Sequence, residues 1–152
     1  MDNSKTVSTL NDLIETSRNG EKGFRLAAEH AQDTQLKSVL QRFADDCARA
    51  ARELQQCVVE SGGKPEEGGT VAGAAHRAWL NLKAAVASND DAAILEECER
   101  GEDHAKAMYK KALNDGLSGD TRALVERQYQ GTLQHHDRIK ELRNQYAAHT
   151  TH

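Results

Sequence analysis

With 152 residues, the chain is long enough for one domain with a sizeable core. Its formal net charge of −4, carried by interleaved acidic and basic residues, argues against nucleic acid, which needs a concentrated basic face, and against an anionic membrane surface. No apolar run reaches membrane-spanning length and the opening MDNSKTVSTL lacks the apolar stretch of a signal peptide, so the expected compartment is the cytoplasm.

A single proline and an abundance of Ala, Leu, Glu, Gln, Lys and Arg predict an all-α protein. The first helix is expected over residues 7–31. Leu10, Ile14, Ser17, Glu21, Phe24, Ala28 and Ala31 form one stripe, with spacings that alternate four and three. Gly20 and Gly23 inside it cost about 1 kcal/mol each relative to Ala, a cost that close approach of a neighbouring helix or side chain would explain. The second helix is expected over 33–61, with Asp33 or Thr34 as N-cap and the stripe Leu36, Leu40, Phe43, Cys47, Ala50, Leu54, Cys57 and Ser61. SGGKPEEGG ends it, because the glycines stop the helix and Pro65 prevents its return.

A shorter helix follows over 70–88, with Val71, Ala75, Ala78, Trp79, Leu82 and Val86 on one face. The next long helix, 90–114, carries the stripe Leu95, Cys98, Glu102, Ala105, Tyr109 and Ala112. NDGLSGD is a turn. The last helix, 121–147, presents Val125, Gln128, Thr132, His135, Ile139, Leu142 and Tyr146, and the tail AHTTH is expected to fray. Four long helices, with a connector of about 28 residues and a short helix between the second and third of them, fit a ferritin-like bundle with one crossover better than a plain up-and-down bundle.

Glu21, Glu102 and His135 break the apolar rule of their stripes with groups that bind protons or metals. At about 1.5 Å rise per residue, measured from the first turn, they lie roughly 16, 20 and 15 Å down the bundle, within about one helical turn of a common level. Asp46 and Cys47 fall near roughly 22 Å on the same scale. Two carboxylates and one imidazole would suit a mononuclear Fe, Mn or Zn site. The full dinuclear ligand set of ferritin-like carboxylate proteins is absent: Thr132 stands where the last helix would carry Glu, and the second helix offers Cys47 and Ala50. The competing reading is a metal-free polar layer that fixes helix register. In it Glu21 pairs with Arg25 or reaches solvent past Gly20, and Glu102 accepts a hydrogen bond from Tyr129, Gln128 or His135. His136, one step off the stripe, replaces His135 if the helical phase is different.

The remaining histidines suggest less. His104 points away from Glu102, His30 lies near a helix end, His76 lies on the crossover helix, and His149 and His152 lie in the tail. The three cysteines, Cys47, Cys57 and Cys98, sit on apolar faces without a CxxC and are expected to be free thiols. No serine lies in a nucleophile elbow, and GGKPEEGG lacks the strand and the GKS or GKT ending of a phosphate loop. Arg77 and Trp79 on the crossover helix could anchor a homo-oligomer; the alternative is that Trp79 closes the core.

LNDLIE, NGEKGF, VAGAAHRAWLNLK, ILEECERGEDHA and HDRIKELR resemble a proteobacterial family of four-helix-bundle proteins of unknown function, over nearly the whole chain. That family is placed in the ferritin-like superfamily, so the resemblance implies the crossover topology and a link to stress physiology, and no established activity. The expectation is a non-enzymatic, stress-associated bundle. Its alternative is a metal-binding bundle of oxidoreductase type that uses Glu21, Glu102 and His135.

Overall fold

The computed structural model of the chain describes residues 3–66 and 73–150; the side chains of 73–76 and 148–150 lie outside that description, as do the expectations for Val71, Ala75, His76, His149 and His152. The described residues form five helices and no strand: α1 (Asn3–His30), α2 (Thr34–Glu60), α3 (Gly73–Ala87), α4 (Asp91–Asn114) and α5 (Gly119–Thr150). None is long and apolar enough to cross a membrane.

Local chemistry sets the helix ends. Asp33 caps α2, its side chain accepting from the backbone N–H groups of Gln35 and Leu36. Lys37 reaches back to the Ala28 and Glu29 carbonyls at 2.8 and 3.0 Å, placing a cation at the α1 C-terminus. Gly62, at φ +80°, turns the chain out of α2 in the left-handed region. Asp90 caps α4 through the Ala92 N–H. The outer helices run further than their stripes suggest. α1 begins at Asn3, and Val7 in its second turn packs on the lower core beneath the connector. α5 continues to Thr150, through residues expected to fray.

α1 packs mainly on α2, and α4 on α5; α1 also meets α4, while α2 and α5 approach least. Hydrogen bonds fix the directions. Asp91, at the start of α4, accepts from the backbone N–H groups of Gln32 and Asp33 in the α1–α2 turn, at 2.8 and 3.0 Å. The start of α4 therefore lies at the end of the bundle that holds this turn. Asn11, near the start of α1, bonds Lys64 and Glu66 just after α2, so the connector leaves from the opposite end. The connector carries the chain back along the bundle, with α3 packed on α4 and α1. Gly23 is where α3 comes close: a Cβ there would meet Leu82 Cδ2 at 3.5 Å.

The apolar interior falls into two blocks. One holds Phe24, Leu36, Leu40, Phe43, Ile94, Leu95 and Ile139; the other holds Leu10, Leu13, Ile14, Leu54, Val58 and Val125. Ser17, Cys47, Glu102, Tyr109, Gln128 and His135 line a polar cavity at intermediate chain positions.

Candidate functional site

All four long helices contribute to this cavity, which encloses about 530 Å³. Glu102 reaches it because it occupies a core position of α4, one turn after Cys98 and two turns before Tyr109, both buried. Only 5% of Glu102 is exposed, and its Oε2 has no hydrogen-bond partner. Burial, with the neighbouring Asp103 charge adding to it, pushes the Glu102 pKa up to about 8.

His135 enters from α5. Its Nε2 lies 3.0 Å from Asp46 Oδ2 on α2, and its ring stacks on Phe43 with centroids 4.1 Å apart. Phe24 meets it edge-on at 6.2 Å. Burial lowers the His135 pKa, with Asp46 opposing. The ring is therefore neutral at pH 7. Nε2–H then donates to Asp46, and Nδ1 carries the free lone pair.

Cys47, on α2, completes the group: one donor atom from each of Cys47, Glu102 and His135 lies within 4.8 Å of the other two. Burial, with Glu102 and Asp46 nearby, holds the Cys47 thiol well above its usual range. Gly20 on α1 gives the sulfur room, since a Cβ there would stand 3.1 Å from Cys47 Sγ. This is the close side-chain approach that a glycine at that helical position implies.

Of the three expected ligands, the structure brings Glu102 and His135 together and places Glu21 elsewhere. Glu21 takes hydrogen bonds from Arg18 at 2.8 Å and Arg25 at 3.2 Å, one turn to either side on α1. Burial opposes its ionisation, but the two guanidiniums prevail and hold its pKa below the usual carboxylate range. The pairing with Arg25 is legible in the sequence; Arg18 makes it two-sided. Cys47 lies on its stripe at a matching height, and its sulfur is the donor that the sequence reading overlooks. His136 does not replace His135. It faces the outer side of the α4–α5 pair, where Nε2 lies 2.6 Å from Asp103 Oδ1. Glu99, which pairs with Arg143 at 2.5 Å, completes a second and more open group with Asp103 and His136.

Part of the rest of the cavity wall is internally bonded. Tyr109 Oη donates to Gln128 Oε1 at 2.8 Å, and Gln128 Nε2 donates to Ala50 O at 3.2 Å and Glu53 Oε1 at 3.0 Å. Arg127 pairs with Glu53 at 2.9 Å. Gln128 thus serves Tyr109 and α2, and not Glu102, the partner its stripe position suggests. All three cysteines are free, Cys98 buried and Cys47 and Cys57 half-buried. A second cavity of about 500 Å³ lies between α1, α3 and α4. Half-buried Trp79 lines it with Phe24 and Leu82, Lys83 Nζ sits 5.4 Å over the indole, and Arg77 is exposed.

Residues 5–115 match the family described as Domain of unknown function (DUF2383). The chain belongs to that family. The DUF2383 match spans α1 to α4, so Cys47 and Glu102 lie inside it and His135 lies on the helix beyond it. No curated protein matches the chain.

Proposed function

We propose that this chain is a ferritin-like bundle whose central cavity holds one divalent metal ion, with Glu102 and His135 as ligands. The single observation that carries this reading is the orphaned Oε2 of Glu102. A buried carboxylate oxygen without a partner costs of order 1–3 kcal/mol or more, and a cation removes that cost. The other carboxylates around the cavity are already engaged: Asp46 with His135 and Arg49, Glu53 with Arg127 and Gln128. A dinuclear carboxylate centre needs around six ligands, so these residues fit one ion and not two. The ferritin-like name rests on the crossover topology together with the sequence resemblance. The cytoplasmic setting rests on the sequence alone, and the link to stress physiology on the resemblance alone.

Elemental analysis tests the reading. Untagged protein purified without chelator, or loaded anaerobically with Fe(II), Mn(II) or Zn(II), should hold one equivalent of metal, and Glu102→Gln should hold none. The second reading, a non-enzymatic bundle with a metal-free polar layer, is favoured by the closed Tyr109–Gln128–Glu53 network. Absence of metal from both proteins, with Glu102→Gln folded but altered in stability alone, would support it, whereas a metal-free variant as stable as wild type would count against a buried carboxylate altogether.

A further inference from the structure

We infer that Cys47 supplies a thiolate as the third protein ligand, making the centre a Zn(II) site with its fourth position open to the cavity. The inference rests on the metal-binding reading above and adds the ligand that decides which ion is held.

Tetrahedral zinc with one sulfur, one nitrogen and one oxygen ligand places its donor atoms roughly 3.4–3.6 Å apart. The three donor atoms here already lie within 4.8 Å of one another, on three different helices. Bonding to one ion would draw them together by roughly 1 Å. His135 is held in place by Asp46 and by the Phe43 ring, the carboxylate–histidine arrangement that orients a ligating imidazole. Gly20 keeps α1 from covering the sulfur. The open coordination position faces a cavity that accommodates water or a small ligand, as three-ligand zinc sites require.

The donor set also discriminates between ions. Mn(II) and Mg(II) prefer all-oxygen surroundings, whereas a thiolate with an imidazole favours zinc over both. The outer group of Glu99, Asp103 and His136 has no sulfur, so a sulfur signature assigns any bound metal to the inner site.

Co(II) is a spectroscopic stand-in for zinc. Titration of untagged, metal-free, full-length protein with CoCl2 should produce intense visible bands of a tetrahedral centre and a near-ultraviolet sulfur-to-cobalt charge-transfer band. One equivalent should saturate both, and ZnCl2 should bleach them. Cys57→Ser, altered on the same helix outside the site, should behave as wild type. Cys47→Ser should lose the charge-transfer band and bind zinc about 100-fold more weakly, and Cys47→Ala should do the same if the serine is poorly tolerated. Stoichiometric metal binding without the charge-transfer band, or with an unchanged band in both Cys47 variants, overturns the thiolate and leaves the metal centre standing. No binding of cobalt or zinc by the folded wild type overturns the metal centre itself, and the thiolate with it.

Discussion

A Cβ at Gly20 would lie 3.1 Å from Cys47 Sγ. An added methyl group there forces the sulfur to shift by a few tenths of an ångström. Gly20→Ala also gains about 1 kcal/mol of helix propensity, which offsets the crowding. Thermal unfolding in chelator should therefore change by only a few degrees, while zinc affinity falls by about tenfold. Unchanged affinity would mean that the sulfur is not held for a metal.

Glu102 makes the stability of the metal-free protein depend on pH. Its folded pKa is raised from 4.5 to about 8, so its contribution is complete below about 4.5 and is lost as pH rises through about 8. Every tenfold gain in proton affinity on folding corresponds to about 1.4 kcal/mol, so the loss amounts to several kcal/mol. His135 acts in the opposite sense, its lowered pKa disfavouring the acid side, but it does so equally in wild type and Glu102→Gln. In chelator, urea unfolding from pH 5 to 9 should show Glu102→Gln gaining on wild type as pH rises. Parallel profiles would place the ionised carboxylate in contact with water.

Tyr109→Phe should destabilise the protein by about 1–3 kcal/mol, because it removes the hydroxyl that donates to buried Gln128 Oε1. The effect should appear as a lower denaturation midpoint with an unchanged m-value. Zinc affinity should change little, since Tyr109 contributes no ligand. A neutral effect on stability would show that water replaces the hydroxyl.

Asp46→Asn should lower the His135 pKa below its already depressed value, because the Asp46 carboxylate is the one group that raises it. Nuclear magnetic resonance titration of the imidazole reads this directly. Zinc affinity should fall 10- to 100-fold, through loss of the group that orients the ring. An unchanged imidazole pKa would mean that the Asp46–His135 contact does not persist in solution.

The fold is legible because its signals are redundant. Helix stripes, capping aspartates and a connector too long for a hairpin all indicate the same topology, and Asp91 bonded to the first turn shows where α4 begins. The core of α2 is less legible. The expected stripe runs through Cys47, Ala50 and Cys57, whereas the buried residues are Ala48, Ala51 and Val58. The apolar face drifts to the following position there, although Leu54 is buried on both readings, and alanines on neighbouring positions give the pattern little to choose between. That drift turns Cys47 toward the cavity rim. The expectation for Glu102 follows from its central place in a well-defined stripe. The engagement of Glu21 is not legible because period alone does not register competition: two arginines within reach on the same helix take its carboxylate.

The thinnest seam of the bundle, between α2 and α5, is bridged largely by side chains. Phe43 and Asp46 meet His135, Ala50 and Glu53 meet Gln128, and Glu53 meets Arg127. The opposite seam, between α1 and α4, has α3 laid across it. The molecule is thus bound like a book, with α3 as its spine and a clasp of one ion pair, amide bonds and stacked rings along the fore-edge. Salt screens the exposed Arg127–Glu53 pair of that clasp, and leaves its amide bonds and stacked rings in place.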